Sequence, residues 1–282
     1  MKNKKPIIAL MYDFDKTLCT TDMQEYTFIP NLNMTAEEFW EEANTLAKEN
    51  KMDGILAYMR VMLERAHFAK KSIRREEFVK LGKDLEFYKG VIEWFELINK
   101  IGKEQGVNIQ HYIISSGLRE IIEGSPIYKY FKEVFACEFL YDENDLACWP
   151  KNVVNYTTKT QFLFRINKGV LDLSNDVDLN KFTPDDNRPV PFRNMIYIGD
   201  GLTDVPCMKL VKSNGGYSIA VYSNGKKKKV NELLKDGRVD FIAPTNYSEN
   251  SELYKIVVDI IKKMVLDDSL KRKNSSQLLT IK

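Results

Sequence analysis

The run Ile7-Ile8-Ala9-Leu10-Met11-Tyr12 breaks off into Asp13-Phe14-Asp15-Lys16-Thr17-Leu18, and this junction constrains the fold more than any other stretch of the chain. A short apolar run closed by a polar turn predicts a buried parallel strand. Asp13 and Asp15 then stand at its carboxyl end, where open α/β sheets keep their ligand crevice. Two anions this close repel each other. A divalent cation reconciles them, and so does a division of labour in which one stays ionised while the other carries a proton. The competing structural reading is a capped turn with two solvated acids.

Beyond Leu18 the periodicity changes from strand to helix. Thr35-Ala36-Glu37-Glu38 forms a capping-box pattern, followed by Phe39, Trp40, Ala43, Leu46 and Ala47 at helical spacing up to Asn50. Further helices are predicted over Gly54–Lys70 and Ser72–Leu85. The block from Met23 to Tyr88 carries no strand pattern and reads as a helical subdomain inserted after the first strand. Gly90–Glu104 returns to the main body as a helix. Ile109–Ile114 is the next strand, ending in Ser115-Ser116-Gly117, and Val134–Tyr141 is the third. Asp142–Asn155 is polar, with room for a small hairpin beside the sheet. Thr158 is placed to N-cap a helix over Lys159–Leu173. Met195–Ile198 is a strand ending in Gly199-Asp200-Gly201-Leu202-Thr203-Asp204, and strand and helix then alternate to Leu266. Such alternation predicts an α/β fold: a doubly wound, mostly parallel, Rossmann-like sheet with a small helical cap subdomain. The domain division is 1–22 and 89–266 for the core, 23–88 for the insert, and 267–282 for a polar, frayed C-terminal tail.

Composition narrows the function classes. Of 282 residues, 44% are hydrophobic and 29% charged, which suits a globular chain with a sizeable core. A net charge of +2 gives no footprint for nucleic acid or an anionic membrane surface. Cys19, Cys137, Cys148 and Cys207 are scattered and fit reduced thiols. Two histidines make a His-based zinc site a poor fit. The basic start Met1–Lys5 precedes an apolar run, but the run is short and lacks a small-residue cleavage site, so no secretory leader is expected. No stretch is long enough to span a membrane, and a cytoplasmic protein is expected. The lysine run Lys226–Lys229 reads as a solvated helix start.

Asp13-Phe14-Asp15-Lys16-Thr17-Leu18 resembles the first motif of the haloacid dehalogenase superfamily, in its phosphatase branch. Gly199-Asp200-Gly201-Leu202-Thr203-Asp204 resembles the fourth. With Ser115 and Lys159 between them, the order matches the family's motif series from Ile7 to about Asp259. The helical insert matches the cap of the phosphoserine phosphatase-like subgroup. The resemblance implies a phosphomonoester hydrolase with Asp13 as nucleophile and Asp15 as general acid and base. Dehalogenase members lack an acid at the second position and P-type ATPases carry Thr there, so Asp15 points to a phosphatase. The resemblance further implies a Mg²⁺ cofactor held by Asp13, the backbone carbonyl of Asp15 and Asp200, with Asp204 as a further ligand or as an acceptor that orders the metal's waters. Ser115, Gly117, Thr17 and a lysine would hold the phosphoryl group. Lys159 at a helix start is preferred for that lysine, with Lys168 as its rival. The partner is a small phosphorylated metabolite. A phosphotransferase and a non-catalytic binding protein of the same fold are the alternatives. Arg60, Arg65, His67, Arg74 and Arg75 of the insert, with Asp22, Gln24 and Glu25 nearer the hinge, are the candidates to touch a leaving group, each with a solvated surface charge as the competing reading, and oligomeric state is left undecided.

Overall fold

The computed structural model describes residues 5–26, 28–223 and 225–281, the side chain of Asp186 excepted. The basic start therefore lies largely outside the described residues. The apolar run forms β1 (Ile7–Tyr12), buried on both faces. The insert follows as α1 (Ala36–Asn50), α2 (Gly54–Phe68) and α3 (Arg75–Leu81). The capping box forms as read: Thr35 Oγ1 accepts from the Glu38 N–H while the Glu38 carboxylate accepts from the Thr35 N–H. The chain then gives α4 (Val91–Glu104), β2 (Asn108–Leu118), α5 (Arg119–Glu123), β3 (Phe131–Tyr141) and β4 (Ala147–Asn152). It continues through α6 (Lys159–Lys168), α7 (Asp176–Asn180), β5 (Met195–Gly199), α8 (Val205–Ser213), β6 (Tyr217–Tyr222), α9 (Lys227–Lys235), β7 (Phe241–Pro244) and α10 (Glu252–Thr280).

The seven strands form one sheet in the order β4-β3-β2-β1-β5-β6-β7. Every pairing is parallel except β3 with β4, the hairpin that the polar segment left room for. From β1 the chain winds outward to β2 and β3, and later from β5 outward the other way. Right-handed crossovers therefore put helices on both faces. Helices α4 and α10 pack together on one, α6 and α8 on the other. Strand β1 sits at the centre, hydrogen-bonded to both β2 and β5, with Tyr12 opposite Ile113 and Ile198. The reversal of winding occurs here, and the crevice above it opens at the carboxyl ends of all three strands.

A polar chain crosses the core below that crevice. The Trp94 indole N–H donates to the Tyr12 hydroxyl at 2.9 Å, and Tyr12 lies 3.0 Å from His111 Nδ1. His111 Nε2 is 3.2 Å from Asn99 Oδ1. Read as consecutive donations, the chain fixes a neutral imidazole with its proton on Nε2, and burial lowers the pKa of His111 to about 3.

Three expectations are corrected. The tail is not frayed: α10 runs on to Thr280, because no Gly or Pro follows Pro244 and the pairs Lys263–Asp267 and Asp268–Arg272 bridge successive turns. Thr158 does not cap α6 with its side chain. Asn155 does that work one turn earlier, its Oδ1 accepting from the N–H groups of Thr157 and Thr158. Helix α6 also stops at Lys168 rather than Leu173, because Gly169 takes the left-handed φ of 70° that ends it.

The insert is tied to the body at several points. Residues Cys19 and Phe87 form an antiparallel bridge where the chain leaves and returns. The Tyr58 hydroxyl donates to the Ser116 carbonyl at 2.7 Å, and Asn155 Nδ2 donates to Asp53 at 2.8 Å. Gly124 permits close packing of α3 on α5: a Cβ there would lie 1.7 Å from the Val79 carbonyl oxygen.

Candidate active site

The predicted site residues that lie far apart in sequence meet at the crevice. Asp13 follows β1, Asp200 and Asp204 follow β5, and the Asp13 N–H donates to the Ile198 carbonyl at 3.0 Å, which fixes the two turns side by side. Carboxylate oxygens of Asp13, Asp200 and Asp204 all lie within 4.8 Å of one another. Lys159, at the first turn of α6, reaches between them. Its Nζ is 3.0 Å from Asp13 Oδ1 and 2.8 Å from Asp204 Oδ1, although the residue is only 1% exposed. Lys168, its rival, is spent elsewhere, donating to the carbonyls of Leu179 and Lys181.

Several small features make room for this arrangement. A Cβ at Gly199 would stand 2.5 Å from Asp204 Oδ2, so only glycine lets that carboxylate lie over the strand end. Asp204 also accepts from the Tyr197 hydroxyl at 2.9 Å and from the Gly201 N–H at 3.3 Å. Tyr197 was not singled out in the sequence, since a tyrosine inside an apolar strand looks like any core residue. A Cβ at Gly117 would lie 2.1 Å from Met23 Cε and 2.9 Å from Asp15 Oδ2, so glycine here lets Met23 and Asp15 pack against the end of β2. Ser115 is buried at the end of β2, its Oγ accepting from the Gly117 N–H at 3.0 Å. The Thr17 hydroxyl is fully buried and has no hydrogen-bond partner.

The two acids of the first motif face different surroundings. Burial raises the pKa of Asp13 to about 8, helped by the charges of Asp204 and Asp200 and opposed by Lys159. Asp200 is pushed up to about 6, by burial first and then by Asp204. Lys159 is held protonated: burial works against its charge, and Asp13 and Asp204 outweigh it. Asp15 is not part of the carboxylate cluster. Its Oδ1 accepts from the Met23 N–H at 2.8 Å and from the Cys19 thiol at 3.6 Å. Burial raises its pKa well above the usual range, followed by the charges of Asp22 and Asp13.

Three crowded, buried carboxylates with one lysine are an unfavourable arrangement on their own. Their oxygen-only donor set and excess negative charge fit a hard divalent cation.

A cavity of about 280 Å³ opens between this site and the insert. Asp15 and Ser116 belong to its core side; Asp22, Gln24, Trp40, Asn44, Ile55 and Tyr58 come from the insert and its approach. Trp40 and Ile55 read in sequence as helix-core residues, so their place here was missed. The insert arginines lie elsewhere: Arg60 pairs with Glu64, Arg65 with Glu42, Arg75 with Glu123, and Arg74 donates to the Asn144 carbonyl.

Fold and motif together define a haloacid dehalogenase-like hydrolase. The family model of that description matches residues 10–209, and the chain belongs to this family. A relative from Borreliella burgdorferi, described as an uncharacterized protein, is 30% identical over 288 residues, covering 93% of this chain and 99% of that one. Among solved structures, a phospho-aspartyl intermediate analogue of phosphoserine phosphatase superposes with a TM-score of 0.52 at 17% identity, over 90% of this chain and 98% of that one. A probable phosphoserine phosphatase from Vibrio cholerae gives 0.56 at 14% identity, over 95% and 67%. A family hydrolase from Salmonella enterica serovar Typhi gives 0.54 at 19% identity, over 81% and 66%. These likenesses match the expected fold, a mostly parallel sheet with flanking helices. Among the described residues, no helix is long and apolar enough to cross a membrane.

Proposed function

We propose that the protein hydrolyses a small phosphomonoester, with Asp13 as nucleophile and Asp15 as general acid and base. The observation that carries this reading is the meeting of Asp13, Asp200, Asp204 and Lys159 in one buried cluster beside an acid that keeps its proton. In the first half-reaction an Asp13 oxygen attacks phosphorus. The ester P–O bond breaks, and Asp15 gives its proton to the departing alcohol oxygen. In the second, Asp15 takes a proton from water as that water attacks the aspartyl-phosphate, freeing Asp13 and phosphate. Lys159, the unpaired Thr17 hydroxyl, Ser115 and Gly117 serve the phosphoryl oxygens. Asp13, Asp200, Asp204 and the Asp15 carbonyl would hold Mg²⁺, which supplies positive charge against the phosphate dianion.

Residues 23–88 act as the cap on a core formed by 1–22 and 89–266; the chain crossing at Cys19 and Phe87 is where the two join. The free thiols support a reducing, cytoplasmic setting. An Asp13→Asn variant is expected to fold and to lose p-nitrophenyl phosphate turnover by about 10³-fold or more. EDTA is expected to abolish wild-type turnover and added Mg²⁺ to restore it. Turnover by Asp13→Asn at wild-type rate, or full activity in EDTA, would refute the assignment.

A further inference from the structure

We infer that the cavity beside Asp15 selects phosphomonoesters whose alcohol carries no carboxylate, a neutral or ammonium-bearing alcohol being the class it takes. The inference rests on the phosphatase reading and specifies the substrate of the same site.

A carboxylate on the leaving group would need a cation or free N–H and O–H donors. Among the described residues, no arginine or lysine lines this cavity, and the four insert arginines are engaged elsewhere. Lys16, the nearest cation of the first motif, is paired with Asp22. Two of the donors that line the cavity, both aromatic, are spent. Tyr58 donates to the Ser116 carbonyl, and the Trp40 indole N–H donates to Glu25 at 2.8 Å. Trp40 and Tyr58 therefore present ring carbon rather than donors, with their centroids 5.8 Å apart.

Asp22 lines the wall as a carboxylate paired with Lys16. Gln24 is 2% exposed, lines the cavity, and its Oε1 is buried without a hydrogen-bond partner. A buried acceptor in that condition calls for a donor from the ligand. A hydroxyl or an ammonium group supplies one; a carboxylate supplies none and meets Asp22 as a like charge. The aromatic walls suit an ammonium group further. The volume of about 280 Å³ suits a small alcohol. Several structural relatives carry the name phosphoserine phosphatase; on this reading the carboxylate of phosphoserine is what the present cavity rejects.

The test uses two matched pairs on the full-length protein with Mg²⁺ present. O-Phosphoethanolamine differs from O-phosphoserine by one carboxylate, and glycerol 3-phosphate replaces the carboxylate of 3-phosphoglycerate with a hydroxymethyl group. For each compound kcat/KM is measured, or, where turnover is undetectable, the inhibition constant against p-nitrophenyl phosphate. The carboxylate-free member should be favoured at least about tenfold in each pair, a few-fold effect being too small for a like-charge clash in a partly buried site. A smaller ratio in either pair overturns the inference while leaving the phosphatase reading intact. Asp22→Asn removes the like charge and releases Lys16, so both ratios should fall at least fivefold, on the order expected for one charge contact; unchanged ratios overturn the inference. Absence of p-nitrophenyl phosphate turnover would fail the phosphatase reading itself, and the substrate class with it.

Discussion

Replacing Lys159 with methionine tests the electrostatic logic of the site most directly. The ammonium group lies 3.0 Å from one buried carboxylate and 2.8 Å from another. Removing one partner from a buried ion pair costs about 3–5 kcal/mol, because the remaining charge has neither water nor a counter-charge. Two carboxylates lose their partner here, yet the cost should sit near the lower figure. Asp13 already has a pKa of about 8. Without Lys159 it is driven higher and takes up a proton instead of remaining a bare buried anion. The sign of the pH dependence follows. A carboxyl whose folded pKa lies above its unfolded value stabilises the fold below the unfolded value and loses that contribution as pH rises through the folded one. Lys159→Met should therefore lose more stability relative to wild type at pH 8.5 than near pH 6, by about 0.8 kcal/mol with Asp13 as the titrating group. In EDTA at pH 8.5, a loss near 3 kcal/mol lowers the melting temperature by about 5 °C. Added Mg²⁺ should recover part of it, and kcat should fall by about 10²–10³-fold. Calorimetry at both pH values is the assay. A variant melting within about 2 °C of wild type in EDTA at pH 8.5 would refute the claim that Lys159 neutralises the cluster.

Two other outcomes follow from groups with unusual partners. Thr17→Val removes a fully buried hydroxyl that has no partner in the absence of ligand, so the ligand-free protein should melt at or slightly above the wild-type temperature. Inhibition by inorganic phosphate should nonetheless weaken by about tenfold, reporting one lost hydrogen bond to a charged ligand; unchanged inhibition would remove Thr17 from the phosphoryl site. His111 gives the acid limb of stability. Its folded pKa of about 3 lies below the ordinary 6.5, so stability is constant above about pH 6.5 and falls as pH drops toward 3. The loss attributable to this group is about 2 kcal/mol at pH 5. Denaturant titrations should show that slope flattened in His111→Gln, and an unaltered slope would refute the assignment.

The sheet and its acidic crest were legible because parallel strands buried on both faces leave an unbroken apolar run, and β1 and β5 each end where such a run meets polar residues, whereas β2 carries Gln110 and His111 and runs on through Ser115 to Leu118. What pattern could not reach were features decided by distance across the fold. Lys159 and Lys168 belong to one helix, and only the packing of α6 against α8 decides which ammonium group faces Asp204. Trp40 fits a helical apolar stripe as well as a cavity wall. The polar end of α10 carries no amphipathic signal beyond Leu266, because that turn of helix is held by ion pairs and an absence of breakers rather than by packing. Asn155 hides its capping role because Thr158, three residues on, is an equally good capping residue by type.

The two acids of the first motif show what the third dimension adds to a spacing. One residue apart, they are assigned opposite tasks, and residue type alone offers no reason for either to take one rather than the other. The surroundings supply it. Asp13 has a cation at hydrogen-bond distance and two further carboxylates within 4.8 Å. Asp15 has a backbone N–H, a thiol and the nearby charge of Asp22, with burial as the strongest influence, so its proton is retained. The N–H that holds Asp15 belongs to Met23, the residue at which the proposed cap begins. In the proposed mechanism the general acid is therefore held in part by the first residue of the cap.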